Sequence, residues 1–277
     1  MRPLHPLATF DHDFHAGDAR LAPHDQADGL RRLFAHSQPR FVPVVANPGI
    51  AFCDVMLERL CTAFTECGQH TLLVDASEQA PWADEAALVA LGDCIDPLSP
   101  QVSYLAARGL SVRHVDTHGS TAGFLTAVAD AAPYADVVLV HASAAELVRL
   151  FAGRDVRPVL LCDDRPQSVT QAYASLKLLA HRAGLGVHNL LLCAAPNSPR
   201  APRIAAQLSH CADDFIGAIV CDWAQVDPAC DPGDAASPAL RRLAEGLLGD
   251  LVATDMDWAV SPAFFDRPTA VPVAHAA

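Results

Sequence analysis

The residues best placed for chemistry lie between Phe41 and Ser77, in the stretch FVPVVANPGIAFCDVMLERLCTAFTECGQHTLLVDAS. An apolar run, a Pro/Gly loop, a segment of about four helical turns and a second apolar run ending in Asp75 predict a βαβ unit. The loop after the first strand of such a unit usually holds phosphates, because backbone N–H groups and the helix N-terminus converge there. A phosphate loop also needs a Lys for the phosphates and a Ser or Thr for magnesium. This loop leads instead into Cys53 and Asp54, a thiol and a negative charge.

The unit and its ending LLVDAS resemble the MinD/ParA-type deviant P-loop ATPases, whose loop reads roughly K-G-G-V-G-K-T and whose second strand ends in D-A-D or D-F-D. The resemblance implies an α/β fold in which a mostly parallel β-sheet is flanked by helices on both faces. Aligned from Gly68, which closes the helix, the family loop matches Pro48-Gly49-Ile50-Ala51-Phe52-Cys53-Asp54. Pro48 then stands at the family's signature Lys, Cys53 at the P-loop Lys and Asp54 at the Thr.

Departures from the family pattern also occur at the ends of other strands. Ser77 replaces the second Asp of D-A-D, His141 stands where an Asp supports magnesium, and Cys193 stands where an Asn contacts adenine. The resemblance therefore implies a degenerate nucleotide site made of Pro48, Gly49, Cys53, Asp54, Asp75, Ser77, His141 and Cys193. We expect no bound cofactor, because the ATP and magnesium of the family have lost their ligands, and we expect no metal site. His141, a lone histidine at a strand end, is expected to find local partners.

A second resemblance lies ahead of this unit, in the segment from Asp25 to Ser37. Its apolar residues recur at helical spacing and Asp25 suits an N-cap, so a short helix is predicted. The sequence DQADGLRRL resembles the N-terminal motif of FlhG (also called FleN or YlxH), the flagellar-number branch of the MinD-like family, and Ser168–Lys177 resembles the same branch. In that branch the motif docks on FlhF, an SRP-type GTPase. The resemblance implies that Gln26 assists GTP hydrolysis in trans, with docking by Asp25, Ala27, Leu30 and Arg31.

The remaining pattern divides the chain into four parts. We predict a disordered leader over 1–24, the partner-activating helix over 25–37, a MinD-like α/β domain over 38–252 and an irregular tail over 253–277. Within the domain, apolar patterning predicts strands and helices in alternation. They include helices at Asp84–Leu91 and Gln101–Gly109, strands at Ser111–Val115, Val187–Cys193 and Phe215–Val220, and a closing helix at Ser237–Leu251.

The amino-acid composition argues against several classes of binding partner. A net charge of −13 disfavours general binding to nucleic acid or anionic lipid. The tail has one Arg, no Lys and several prolines, which argues against a membrane-surface helix. The nine cysteines form no C-x-x-C pair, so we expect structural thiols in a reducing cytosol. Recruitment to the cell pole by a partner stays open.

The leading hypothesis is a monomeric pseudo-ATPase of the FlhG type, which stimulates an FlhF-type GTPase and so influences flagellar placement or number. An alternative is a structural adaptor that binds flagellar C-ring or switch proteins, or serves a cellulose-secretion assembly. A third is a residual MinD-like ATPase. A fourth is an enzyme in which Cys53 is a thiol nucleophile whose pKa is lowered by the helix N-terminus. The sequence assigns Cys53 no histidine base, and Asp54 opposes its ionisation.

Overall fold

The computed structural model describes residues 38–88 and 90–249. The predictions for the leader, for the DQADGLRRL helix and for the tail from 253 onwards lie outside the described residues. Within them, eight strands form one sheet: β1 (Arg40–Val45), β2 (Thr71–Asp75), β3 (Asp96–Ser99), β4 (Val102–Ala106), β5 (Val137–Ala142), β6 (Val159–Asp163), β7 (Val187–Cys193) and β8 (Ile219–Val226).

The strand order is β3-β4-β2-β5-β1-β6-β7-β8, and every neighbouring pair is parallel except β3 and β4. Six α-helices are present in the described ranges: α1 (Cys53–Glu66), α2 (Gly123–Ala131), α3 (Ala144–Phe151), α4 (Pro166–Ala183), α5 (Arg200–Ile216) and α6 (Pro238–Leu248). The central strands are buried on both sides, as a parallel sheet covered by helices requires. The predicted fold class is confirmed.

The helices divide between two apolar cores, one on each face of the sheet. Helices α1 and α6 pack on one face, where Phe64 and Leu243 meet alternate residues of the strands, including Val44 and Leu139. The other four helices cover the opposite face. Successive residues of a strand point to opposite faces of the sheet. The face on which a residue at a strand end lies therefore follows from its position in this alternation.

Several predicted elements agree with the structure. Strand β7 has its predicted bounds, and β1, α1 and β2 match the predicted βαβ unit to within about two residues, the usual uncertainty of element boundaries. Gly68 follows α1 with φ 78°, a conformation that favours glycine. Helix α6 begins within one residue of the predicted start at Ser237, and the Ser237 Oγ caps it by accepting a hydrogen bond from the Leu240 N–H at 3.2 Å.

Other predicted elements are wrong. The helix predicted at Gln101–Gly109 is strand β4, because Val102–Ala106 pairs with β2 on one side and β3 on the other. The strand predicted at Ser111–Val115 is a short 3₁₀ helix, Ser111–His114, and the helix predicted at Asp84–Leu91 is reduced to 3₁₀ turns at Glu85–Leu88 and Leu91–Cys94. The strand predicted at Phe215–Val220 begins only at Ile219, because α5 continues to Ile216 and Gly217 ends it with φ 69°.

None of the helices in the described ranges combines the length and the apolar character that crossing a membrane requires.

His188 on β7 is buried, and neither ring nitrogen has a hydrogen-bond partner, so burial lowers its pKa from 6.5 to about 4. The unfolded chain therefore binds a proton between pH 6.5 and 4 that the folded chain does not. We expect the free energy of unfolding to be unaffected above this window and to fall by about 3 kcal/mol as the pH drops through it.

Urea denaturation at pH 7 and at pH 4.5 measures this effect. His188→Leu should flatten the pH dependence, whereas the control His181→Leu, on an exposed position of α4, should retain it. An equally steep pH dependence in His188→Leu and wild type would show that other groups cause the acid loss.

Candidate functional site

A cavity of about 790 Å³ runs along α1 past β2 and β4, from Thr65 in the last turn of the helix to its N-terminus at the carboxyl ends of the parallel strands. This is where ligands bind in open α/β sheets. Six of the eight residues expected in the degenerate nucleotide site line the cavity: Pro48, Cys53, Asp54, Asp75, Ser77 and His141. Gly49 and Cys193 are not among its lining residues. Leu73, Leu98, Val102 and Tyr104 supply part of its apolar wall.

The loop between β1 and α1 is fixed by the buried side chain of Asn47. Its Nδ2 donates to the Leu161 carbonyl at 2.9 Å and to the Ser168 carbonyl and hydroxyl at 3.0 and 3.1 Å. Its Oδ1 accepts the Gly49 N–H at 3.0 Å. One carboxamide therefore ties the loop to β6 and to α4 and positions the start of α1.

Gly49 faces α4 and leaves little room for a side chain. A Cβ at this position would lie 3.1 Å from the Asn47 Oδ1 and 3.4 Å from the Ser168 Cα. Arg165 donates to the Gly49 carbonyl and, through its Nε, to the Asp163 Oδ2 at 2.8 Å. The hydrogen bond and charge of Asp163 raise the pKa of Arg165, so this guanidinium beside the loop is already paired with a carboxylate.

Negative groups dominate the cavity. Its lining includes Asp54, Glu58 and Asp75, and among the described residues that line it none is a Lys or an Arg. Two like charges about 4 Å apart repel by about 1 to 4 kcal/mol, depending on their exposure to water. The cavity therefore favours neutral or cationic ligands over polyphosphates.

Three side chains from separate elements meet inside the cavity. Asp75 and His141 are register partners at the ends of β2 and β5, and the His141 Nδ1 lies 2.9 Å from the Asp75 Oδ1. The His141 Nε2 lies 3.6 Å from the Sγ of Cys53, the first residue of α1. The sequence indicated each residue separately as a departure from the family, but the pairing of Cys53 with His141 was missed. The sequence alone placed no histidine base beside Cys53, and the structure places His141 there.

Hydrogen bonds and burial set the protonation of Asp75 and Cys53. Burial would raise the pKa of Asp75, but the hydrogen bond and charge of His141 and the N–H of Ser77 outweigh it, so the pKa is lowered. An ionised carboxylate can only accept, so the His141 Nδ1 carries a proton toward Asp75 and the Nε2 faces the thiol. Burial, followed by the charges of Asp54, Asp75 and Cys193, raises the pKa of Cys53 to about 12. The thiol is therefore protonated at neutral pH.

The two remaining positions of the expected site are Ser77 and Cys193. The Ser77 N–H donates to Asp75, and its hydroxyl accepts the Ala80 N–H at 3.2 Å. Cys193 is buried at the end of β7, and burial raises the pKa of its thiol to about 11. Within the described ranges, no group of three or more His, Cys, Asp or Glu side chains could hold a metal ion.

Comparison with known proteins identifies the fold. No family model and no curated protein matches this sequence. Among solved structures, the chain is similar to a ParA family ATPase from Chlorobium tepidum, with 14% identity and TM-score 0.52 over 75% of this chain and 98% of that chain. It is also similar to the cell division protein MinD from Aquifex aeolicus, with 13% identity and TM-score 0.52 over 76% and 97% of the two chains.

A third similar structure is cobyrinic acid a,c-diamide synthase from Mycobacterium smegmatis with bound ADP and magnesium. The identity is 16% and the TM-score 0.53, over 76% of this chain and 94% of that chain. At these identities the likeness shows the fold alone. The chain therefore has the α/β fold of the ParA/MinD-type P-loop ATPases.

Asn47→Ala tests the importance of the loop clamp. The substitution removes buried hydrogen bonds to the Leu161 and Ser168 carbonyls, so we expect the free energy of unfolding to fall by about 2 to 3 kcal/mol in urea denaturation. The matched control Asn197→Ala, at an exposed loop position, should change it by less than about 0.5 kcal/mol. Equal stability of the two variants would contradict the clamp.

Proposed function

We propose that this protein is a regulatory pseudo-ATPase of the FlhG type, which stimulates an FlhF-type GTPase through its N-terminal segment DQADGLRRL. The observation that carries the loss of nucleotide chemistry is the charge of the cavity. Where the family resemblance puts two lysines, the loop has Pro48 and Cys53, and Asp54 faces the same space. The residues present do not fit a nucleotide polyphosphate. The cavity therefore offers no site for a cycle of ATP binding and hydrolysis.

The GTPase-stimulating role is supported by the sequence of the segment itself. Every signature position of the motif is filled, from Asp25 to Leu33. The carboxamide of Gln26 can orient an attacking water without a shifted pKa, as glutamines do in other GTPases. The second stretch that resembles this branch, Ser168–Lys177, belongs to α4, and Ser168 takes part in the clamp on the loop.

A regulator without a nucleotide switch acts as a constant activator. In the family, ATP gates dimerisation through the Lys at the position of Pro48, so we infer that this chain acts as a monomer. Direct binding to nucleic acid or to membrane is not part of the proposal, given the net charge of −13. Any placement at the cell pole would come from the partner.

The proposed partner activity is tested by GTP turnover of an FlhF-type GTPase with and without the full chain. We expect stimulation by wild type and loss of most of it in Gln26→Ala, because the water-orienting amide is removed. Arg32→Ala is the matched control, since Arg32 lies in the same segment at a position that the motif leaves open. Full stimulation by Gln26→Ala would contradict the mechanism, and no stimulation by wild type would favour a structural adaptor.

The proposed loss of ATP binding is tested by isothermal titration with Mg-ATP. We expect wild type to show no saturable binding up to about 1 mM, and Cys53→Lys/Asp54→Thr to gain binding in the submillimolar range, because a cation and a hydroxyl return to the loop. Asp54→Asn, which removes only the charge, is the control and should gain far less. Saturable binding by wild type would favour the residual MinD-like ATPase.

A further inference from the structure

We propose that Cys53, His141 and Asp75 form a catalytic thiol site that accepts an acyl group from a neutral or cationic ester, thioester or amide. In this site Cys53 is the nucleophile, His141 is the general base and Asp75 is a positioning residue. The proposal concerns the cavity alone and does not depend on the partner GTPase, so the two can fail separately.

The relative geometry is that of a nucleophile, a base and a group that orients the base. The Cys53 Sγ is 3.6 Å from the His141 Nε2, and the His141 Nδ1 is 2.9 Å from the Asp75 Oδ1. The Asp75 carboxylate also accepts the Ser77 N–H at 3.1 Å, so its position is fixed from a second side. Recognition of such a site rests on these mutual contacts and roles rather than on chain order.

The protonated thiol of Cys53 needs a general base before it can act as a nucleophile. The pKa of Cys53 is raised by burial and by nearby carboxylates, so the thiol keeps its proton until an electrophile arrives. His141 is placed to take that proton as the sulfur–carbon bond forms, and Asp75 stabilises the imidazolium that results. The site therefore works as a neutral thiol with a general base, and we expect it to be inert toward reagents that need a preformed thiolate.

The N-terminus of α1 supplies the remaining requirement of acyl transfer, which is stabilisation of negative charge on the carbonyl oxygen. Cys53 opens the helix, and its N-cap residue Phe52 makes no side-chain hydrogen bond to the first turn. The Met56 N–H donates to the Phe52 carbonyl at 3.2 Å, so the N–H groups of Cys53, Asp54 and Val55 are the ones left for a ligand or for water. Such donors and the positive end of the helix dipole stabilise a developing oxyanion.

The cavity defines the substrate class. At about 790 Å³ it has the size of pockets that bury a small organic molecule. Leu57, Leu73 and Val102 provide apolar walls for an acyl chain, while Asp54 and Glu58 disfavour anions. We therefore expect an apolar acyl group on a leaving group without phosphate or carboxylate.

The reaction needs no redox partner. The Cys53 Sγ bonds to the carbonyl carbon while the bond to the leaving group breaks, and the thiol proton passes through His141 to the leaving group. Water, deprotonated by His141, then cleaves the thioester. The carboxylic acid is released, and the proton held by His141 restores the Cys53 thiol.

The test is acylation of the full chain by p-nitrophenyl butyrate, a neutral ester. The release of p-nitrophenolate and peptide mass mapping of the acylated residue are measured together. We expect the acyl group on Cys53 ahead of the other cysteines, and no burst from Cys53→Ala. Cys67→Ala, at the other end of α1, is the matched control and should keep the wild-type burst. Acylation of Cys53 no faster than of Cys67 would overturn the proposal.

The base and its positioning residue are tested by rate. We expect His141→Gln to acylate about 100-fold more slowly at unchanged melting temperature. Asp75→Glu, which keeps the carboxylate, should retain more of the rate than the isosteric Asp75→Asn; a role in packing alone predicts the reverse order. A wild-type rate in folded His141→Gln would overturn the assignment of the base. If that variant fails to fold, the comparison of Cys53→Ala with Cys67→Ala still decides the nucleophile.

Discussion

The parallel register of three neighbouring strands is the constraint on which the site depends. Strand β5 lies between β1 and β2, so His141 has Val44 as its partner on one side and Asp75 on the other. These residues share the face that α1 covers. A slip of one residue in this pairing would turn His141 to the opposite face and break its hydrogen bond to Asp75. The buried hydrophobic residues that fix the register therefore also fix the contact between His141 and Asp75.

The second constraint is the clamp on the loop that precedes α1. A phosphate loop is ordered partly by its ligand, whereas here the Asn47 carboxamide supplies a donor to β6 and to α4 from inside the chain. Arg165 donates hydrogen bonds to the Gly49 carbonyl and to Asp163 and so also holds this loop in place. The cavity keeps its form while its charge is opposite to that of a phosphate site.

Local sequence patterns predicted the central part of the fold better than its edge. Strand β7 combines the apolar run at 190–193 with buried His188 and Asn189, and its predicted type and bounds are those observed. Strand β4 is short and only partly buried, and its pairing with β2 and β3 lies beyond any local window. For the candidate site too, local sequence patterns predict part of the arrangement only. Asp75 and His141 were each recognised at a strand end, but their contact depends on β2 and β5 being neighbours, a property of strand order that local spacing does not encode.

The energetic cost of the Cys53, His141 and Asp75 group bears on its meaning. A partly buried carboxylate and imidazole must give up hydration, and apolar side chains of similar volume would pack beside Leu73 and Leu139 without that cost. Loss of nucleotide binding alone requires only the removal of the loop cations. It does not require a thiol at the start of α1 to face an imidazole that a carboxylate orients. A thiol, an imidazole and a carboxylate that meet in one cavity, with the carboxylate also bonded to the Ser77 N–H, fit the proposed use better than the loss of an older function alone.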